Sequence, residues 1–229
     1  VDLTGWRFSD GIAYTIPTGT LLLPDAYLVI AHDVGTVEHI YGITGVLGPF
    51  ERGRLSNSGE RLALENANGT LMDEVLYDDH LPWPELADGD GPSLELINPT
   101  FDNMRPCSWS SSHDMGSPGT RNDMYVDGNI PPCITDVTYT PSLPRTNQSI
   151  SVTAVIDDNR ADASSTPPIS ATLYYRPRGE SLYRTLTMSD DGLDGDTYAG
   201  DTVYTALIPP RSISGTMYIQ PGAGTYIEF

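Results

Sequence analysis

The stretch that decides the fold is Leu55-Ser56-Asn57-Ser58-Gly59-Glu60-Arg61-Leu62-Ala63-Leu64-Glu65-Asn66-Ala67-Asn68-Gly69-Thr70-Leu71-Met72-Asp73-Glu74-Val75-Leu76-Tyr77. Two short runs, Arg61–Glu65 and Leu71–Tyr77, flank Asn68-Gly69. Asn and Gly tolerate the positive φ that tight hairpins need, so the segment reads as a strand, a turn and a strand. The same texture extends outward in both directions. Alternating apolar runs bounded by Gly, Pro, Asn and Asp place further strands at Leu3–Phe8, Ile12–Ile16, Tyr27–Ala31, Ser93–Ile97 and Cys107–Ser110. Between His32 and Arg54 lies a long Gly-rich connection with a short helix expected around Val37–Tyr41.

After Asn122 the pattern changes. Asp123 to Cys133 carries a glycine and two prolines and reads as a linker, 123–133. Six more runs follow: Ile134–Tyr139, Ser149–Ile156, Ile169–Arg176, Leu182–Ser189, Val203–Ile208 and Thr216–Gln220. Short strands with turns at this spacing predict a second, Ig- or fibronectin-like sandwich over 134–229. The expectation for the whole is an all-β chain of two Ig-like β-sandwiches in tandem.

Composition agrees and narrows the functions. The 229 residues carry 31 acids against 12 basic residues, all arginine, for a formal charge of −19. Such a chain repels nucleic-acid phosphates and anionic membrane surfaces. No apolar run approaches the ~18 residues of a membrane span. Residues 1–129 hold 20 of the acids and six of the arginines, so most of the charge coats the first half. The two cysteines, Cys107 and Cys133, lack zinc-site spacing. They fit either one bridge in an oxidising compartment or two buried thiols.

The first half resembles the lamin-tail domain, an Ig-like sandwich of nuclear lamins and of many bacterial extracellular proteins. The resemblance lies in ordered pieces: Asp2-Leu3-Thr4-Gly5-Trp6 with Phe8-Ser9-Asp10-Gly11, then Leu55 to Leu64. Asp73 to Tyr77, Trp83, Asp88-Gly89, Gly91 and Ser93-Leu94-Glu95 follow, and Trp109 with Gly116-Ser117-Pro118-Gly119 and Asn122 closes the series. It implies that 1–122 is a lamin-tail-like sandwich with Trp6, Trp83 and Trp109 in its core, and a binding or structural module with no shared catalytic constellation. Members of that family usually begin with an extra strand pair, which this chain lacks before Asp2. Residues 217–229 resemble the missing piece, so Tyr226, Ile227, Glu228 and Phe229 are the candidate residues for strand donation. Donation from a neighbouring copy, head to tail, would build a filament. Folding back, tandem copies in a longer chain, or a last strand of the second sandwich are the other readings.

The sharpest chemical cluster is Asp190-Asp191-Gly192-Leu193-Asp194-Gly195-Asp196, followed by Gly200-Asp201 and Tyr204. Asp190, Asp191, Asp194, Asp196 and Asp201 are candidate ligands for calcium, which takes 6–8 hard oxygens. The alternative is an acidic hairpin that caps its own amides. Ser110 to Asp114 holds the residue types of a catalytic triad, but triads are assembled by tertiary geometry, not by neighbours in sequence. The expectation is a non-catalytic structural or adhesive module, secreted or at the cell surface. Its partners would be copies of itself or other surface or matrix components. The alternative is a carbohydrate-binding accessory module of a larger secreted enzyme, with Tyr174, Tyr183 and Tyr198 lining one groove.

Overall fold

The computed structural model describes residues 1–89, 91–145, 147–158, 169–177, 180–210 and 217–220. Among the described residues the chain is all-β apart from one short helix and two 3-10 turns, and it divides into two compact units, 1–128 and 129–229.

In the first unit, β1 (Arg7–Asp10), β2 (Tyr14–Thr15), β3 (Glu60–Glu65) and β4 (Leu71–Tyr77) form an antiparallel sheet in the order β2-β1-β3-β4. Arginine laces it together. Arg61 on β3 reaches Asp10 on β1 at 2.9 Å and Glu74 on β4 at 2.6 Å, and Arg7 pairs with Glu65 at 2.6 Å. A planar guanidinium fork can serve two carboxylates at once, which a lysine ammonium does less well. Beneath lies a core of Leu3, Tyr14 and Ile16, packed by Trp6, Phe8, Leu28, Ile30, Leu47 and Phe50.

The deciding hairpin forms, but its turn is wider than a two-residue loop. Asn66 organises it: Oδ1 accepts the amides of Asn68 and Thr70 at 2.9 and 3.0 Å, and its carbonyl accepts Gly69 N–H at 2.9 Å. Only Gly69 takes positive φ, at 81°, and the ladder slips by one residue between Leu64 and Glu65. An Asx-type turn on Asn66 therefore replaces the tight turn expected on Asn68-Gly69.

The helix α1 (Val34–Tyr41) is capped by Asp33, whose Oδ1 accepts Thr36 N–H at 3.0 Å, and ends at left-handed Gly42. Tyr27–Ala31, expected as a strand, makes only a single parallel bridge, Ile30 with Leu47. Strand β5 (Leu94–Leu96) pairs with β6 (Trp109–Ser111). Trp83 is buried and lies 6.0 Å from the half-buried Trp109, whose indole N–H donates to Asn103 O at 2.8 Å. Neither cysteine is free: Cys107 and Cys133 are both disulfide-bonded.

Among its described residues the second unit holds two three-stranded antiparallel sheets. One, β11-β8-β7, joins β7 (Cys133–Thr140), β8 (Ile150–Asp157) and β11 (Val203–Ile208). The other, β10-β9-β12, joins β9 (Ala171–Pro177), β10 (Arg184–Met188) and β12 (Met217–Gln220). Alternation decides the packing. Val152, Ala154 and Ile156 on β8 share one core with Ala171, Leu173 and Tyr175 on β9, and with Met188, Ala206 and Ile208. Among the described strands β12 pairs with β9 alone, which places Met217–Gln220 in the second unit, at the end of its sheet order. The proposed donor residues Tyr226, Ile227, Glu228 and Phe229 lie outside the described residues.

Candidate metal centre in the Asp190–Asp201 loop

The loop joins β10 to β11, and these strands belong to different sheets. Its stem is a bridge between Ser189 and Thr205, with amide hydrogen bonds of 3.0 and 2.9 Å in the two directions. Directly above the stem, Asp190 gathers the far side of the loop. Its Oδ1 accepts Gly200 N–H at 2.6 Å and Asp201 N–H at 3.2 Å, and its Oδ2 accepts Thr202 N–H at 3.0 Å. Three amides on one carboxylate resemble the mouth of a nest, with the acid fixed by charge-assisted hydrogen bonds. Burial, and then the Asp190 charge, push the Tyr204 phenol above its ordinary pKa.

Tight curvature comes from left-handed backbone at Gly192, Asp194, Gly195, Gly200 and Thr202. Gly195 has a specific reason to be glycine. Its φ is 101°, a left-handed value that strains any side chain, while the space itself would admit a Cβ, 3.6 Å from Thr205 Cγ2, Ser151 Oγ and Leu207 Cδ2.

The fold brings together Asp190, Asp196 and Asp201: one carboxylate oxygen from each lies within 4.8 Å of the others. Asp196 is buried, Asp190 half-buried and Asp201 exposed. Asp191 and Asp194 are not in this group. Asp191 instead caps Leu193 N–H at 3.0 Å, and Asp194 is an exposed corner at φ 50°. The three grouped acids offer hard oxygen donors on a curved loop, the donor chemistry of a calcium-type cation.

A second acidic group, Asp78, Asp79 and His80, lies on the surface of the first unit. His80 pairs with Asp78 at 3.1 Å and with Asp79 at 2.5 Å, and the two carboxylates hold its imidazole above the ordinary pKa. The triad-like residues around Ser112 are occupied by structure. Ser112 is buried; its Oγ accepts Ser93 N–H at 2.8 Å and donates to Asp114 O at 2.7 Å. His113 pairs instead with Asp123, at 3.3 Å.

Sequence reasoning missed Glu95 as an organising residue. It is buried, and its Oε1 accepts both the amide and the hydroxyl of Ser117, at 2.9 and 2.6 Å. A single glutamate amid short apolar alternation at Ser93–Ile97 was the available signal.

Of the three tyrosines considered for sugar stacking, Tyr174 and Tyr198 are exposed. One face of Tyr183 is covered by the Arg176 guanidinium, 4.6 Å from the ring centre. Among the described residues, no helix is long and apolar enough to cross a membrane. Compared with family models, with curated proteins and with solved structures, the chain matches none of them.

Proposed function

We propose that this chain is a non-catalytic structural or adhesive segment of a secreted or cell-surface protein. It would consist of two tandem Ig-like sandwiches, the first of lamin-tail type. The observation that carries this reading is how the Asp190 loop uses its acids. Asp190 and Asp191 accept amides of their own loop, Asp201 accepts that of Val203 at the start of β11, and the loop ties β10 to β11 across two sheets. That is the work of a joint between layers, built from carboxylates turned toward their own backbone.

Other features support the reading. Both cysteines are oxidised, as suits an oxidising compartment. In the first unit Glu95 binds Ser117, and the Asn122 side-chain amide donates to Leu96 O. These contacts join the Ser93-Leu94-Glu95 and Gly116-to-Asn122 pieces that the lamin-tail resemblance places in one domain. The net charge of −19 disfavours nucleic acid and anionic lipid as partners. Partners would instead be other surface or matrix components and further copies of the chain. In self-assembly, Tyr226–Phe229 would add to a sheet edge of the next copy, head to tail.

Sedimentation velocity over a wide concentration range tests the self-assembly. The reading predicts concentration-dependent association that Ile227→Asp returns to monomer with an unchanged circular dichroism spectrum. A monomer at every concentration would contradict it.

A further inference from the structure

The Asp190–Asp201 loop contains a feature that its role as a joint does not require. Asp196 is only 8% exposed. Its Oδ2 accepts Gly192 N–H at 2.6 Å, while its Oδ1 is buried with no hydrogen-bond partner. Native proteins satisfy nearly all buried polar atoms, because a desolvated and unmatched carboxylate oxygen is costly. This one belongs to a residue whose carboxylate is grouped with those of Asp190 and Asp201. Thr205, on the strand beneath the loop, supplies a second orphan: its Oγ1 is also buried without a partner. Its methyl lies against Gly195, next to Asp196.

We propose that this loop is a calcium site, with Asp190, Asp196 and Asp201 each supplying a carboxylate oxygen. Donor type argues for that ion. The three oxygens lie within 4.8 Å of one another, close enough to share one cation. Calcium takes six to eight hard oxygens in flexible geometry, whereas magnesium demands near-octahedral order and sheds its waters reluctantly. Zinc favours nitrogen and sulfur, and this group offers neither. Since Asp190 also holds the amides of residues 200–202 just above the Ser189–Thr205 bridge, an ion there stiffens the connection between the two sheets. Calcium binding therefore registers as stability of the second unit.

The test is thermal unfolding of the full chain, stripped with chelator and then measured in calcium or magnesium at matched ionic strength. With calcium about one hundred-fold over its dissociation constant, the wild-type midpoint should rise by roughly 10 °C or more. Asp196→Asn keeps the shape and an acceptor for Gly192 but removes the charge. It should lose the calcium response, read as the difference between its own midpoints with and without calcium. Asp78→Asn, in the other acidic group, should keep the full response. An unchanged wild-type midpoint, or an equal rise in magnesium, would overturn the assignment. So would an equal calcium response in Asp196→Asn, which would mean diffuse screening of the −19 charge. Should Asp196→Asn fail to fold, Asp201→Asn, at the exposed rim, makes the same comparison.

Discussion

Asp190 Oδ1 accepts Gly200 N–H at 2.6 Å across ten residues of chain, closing the loop between β10 and β11. The same carboxylate holds Asp201 and Thr202, so Asp190→Ala strands three amides at once. Charge-assisted hydrogen bonds of this kind predict a loss of about 2 kcal/mol in metal-free buffer, read from urea midpoints. Asp190→Asn, which keeps one acceptor oxygen, should lose about half as much.

Glu95 and Ser117 make the corresponding tie in the first unit. Ser117→Ala removes one hydroxyl donor from a buried carboxylate and should cost about 1.5–3 kcal/mol. Replacing Ser117 with Thr restores the hydroxyl and should recover most of that loss. Denaturant unfolding followed by the fluorescence of Trp83 and Trp109 reads both variants.

The core of the second unit offers a packing test. Ile208 is 1% exposed and belongs to the core cluster that both sheets share. Ile208→Ala should cost about 2–5 kcal/mol through lost burial and a residual cavity. Leu207, its exposed neighbour on β11, should tolerate alanine with a change within about 0.5 kcal/mol.

Tyr77 predicts an alkaline weakness. Its hydroxyl lies 2.8 Å from Ser56 O and 2.9 Å from Glu60 Oε1, two acceptors that share its one proton. Burial first, and then Glu60, raise its pKa well above the ordinary phenol value. A phenol raised on folding contributes stability that is complete below its unfolded pKa of about 10 and is lost as pH climbs beyond it. Unfolding midpoints of the wild type should therefore fall above pH 10, and Tyr77→Phe should flatten that part of the profile.

The oxidised cysteines give a chemical prediction. The native chain should show no reactive thiol in denaturant until reduced, and two afterwards. Reduction should cost about 2–4 kcal/mol of stability.

Much of the β architecture was legible because burial on one face of a strand writes a period of two into the sequence. Leu71–Tyr77 and Val203–Ile208 coincide with β4 and β11. Leu3–Phe8 does not, because Gly5 takes positive φ and the strand begins only at Arg7. Tyr27–Ala31 has strand composition, yet the chain opposite it supplies only one bridge, at Leu47. Partner geometry of that kind is absent from local pattern. The acidic loop shows the same division. Five aspartates were visible as candidates, but the turns at Gly192, Asp194 and Gly195 decide which acids group. Asp190, Asp196 and Asp201 come together, while Asp191 caps the backbone and Asp194 faces outward. Glu95 stayed hidden because its partner Ser117 lies 22 residues away.

The most direct measurement is a crystal structure of the full chain grown with calcium, read for anomalous signal in the Asp190–Asp201 loop. The account predicts one ion, with oxygens of Asp190, Asp196 and Asp201 at about 2.3–2.6 Å. A loop without anomalous signal, with Asp196 Oδ1 bonded to a protein donor or a water, would contradict it.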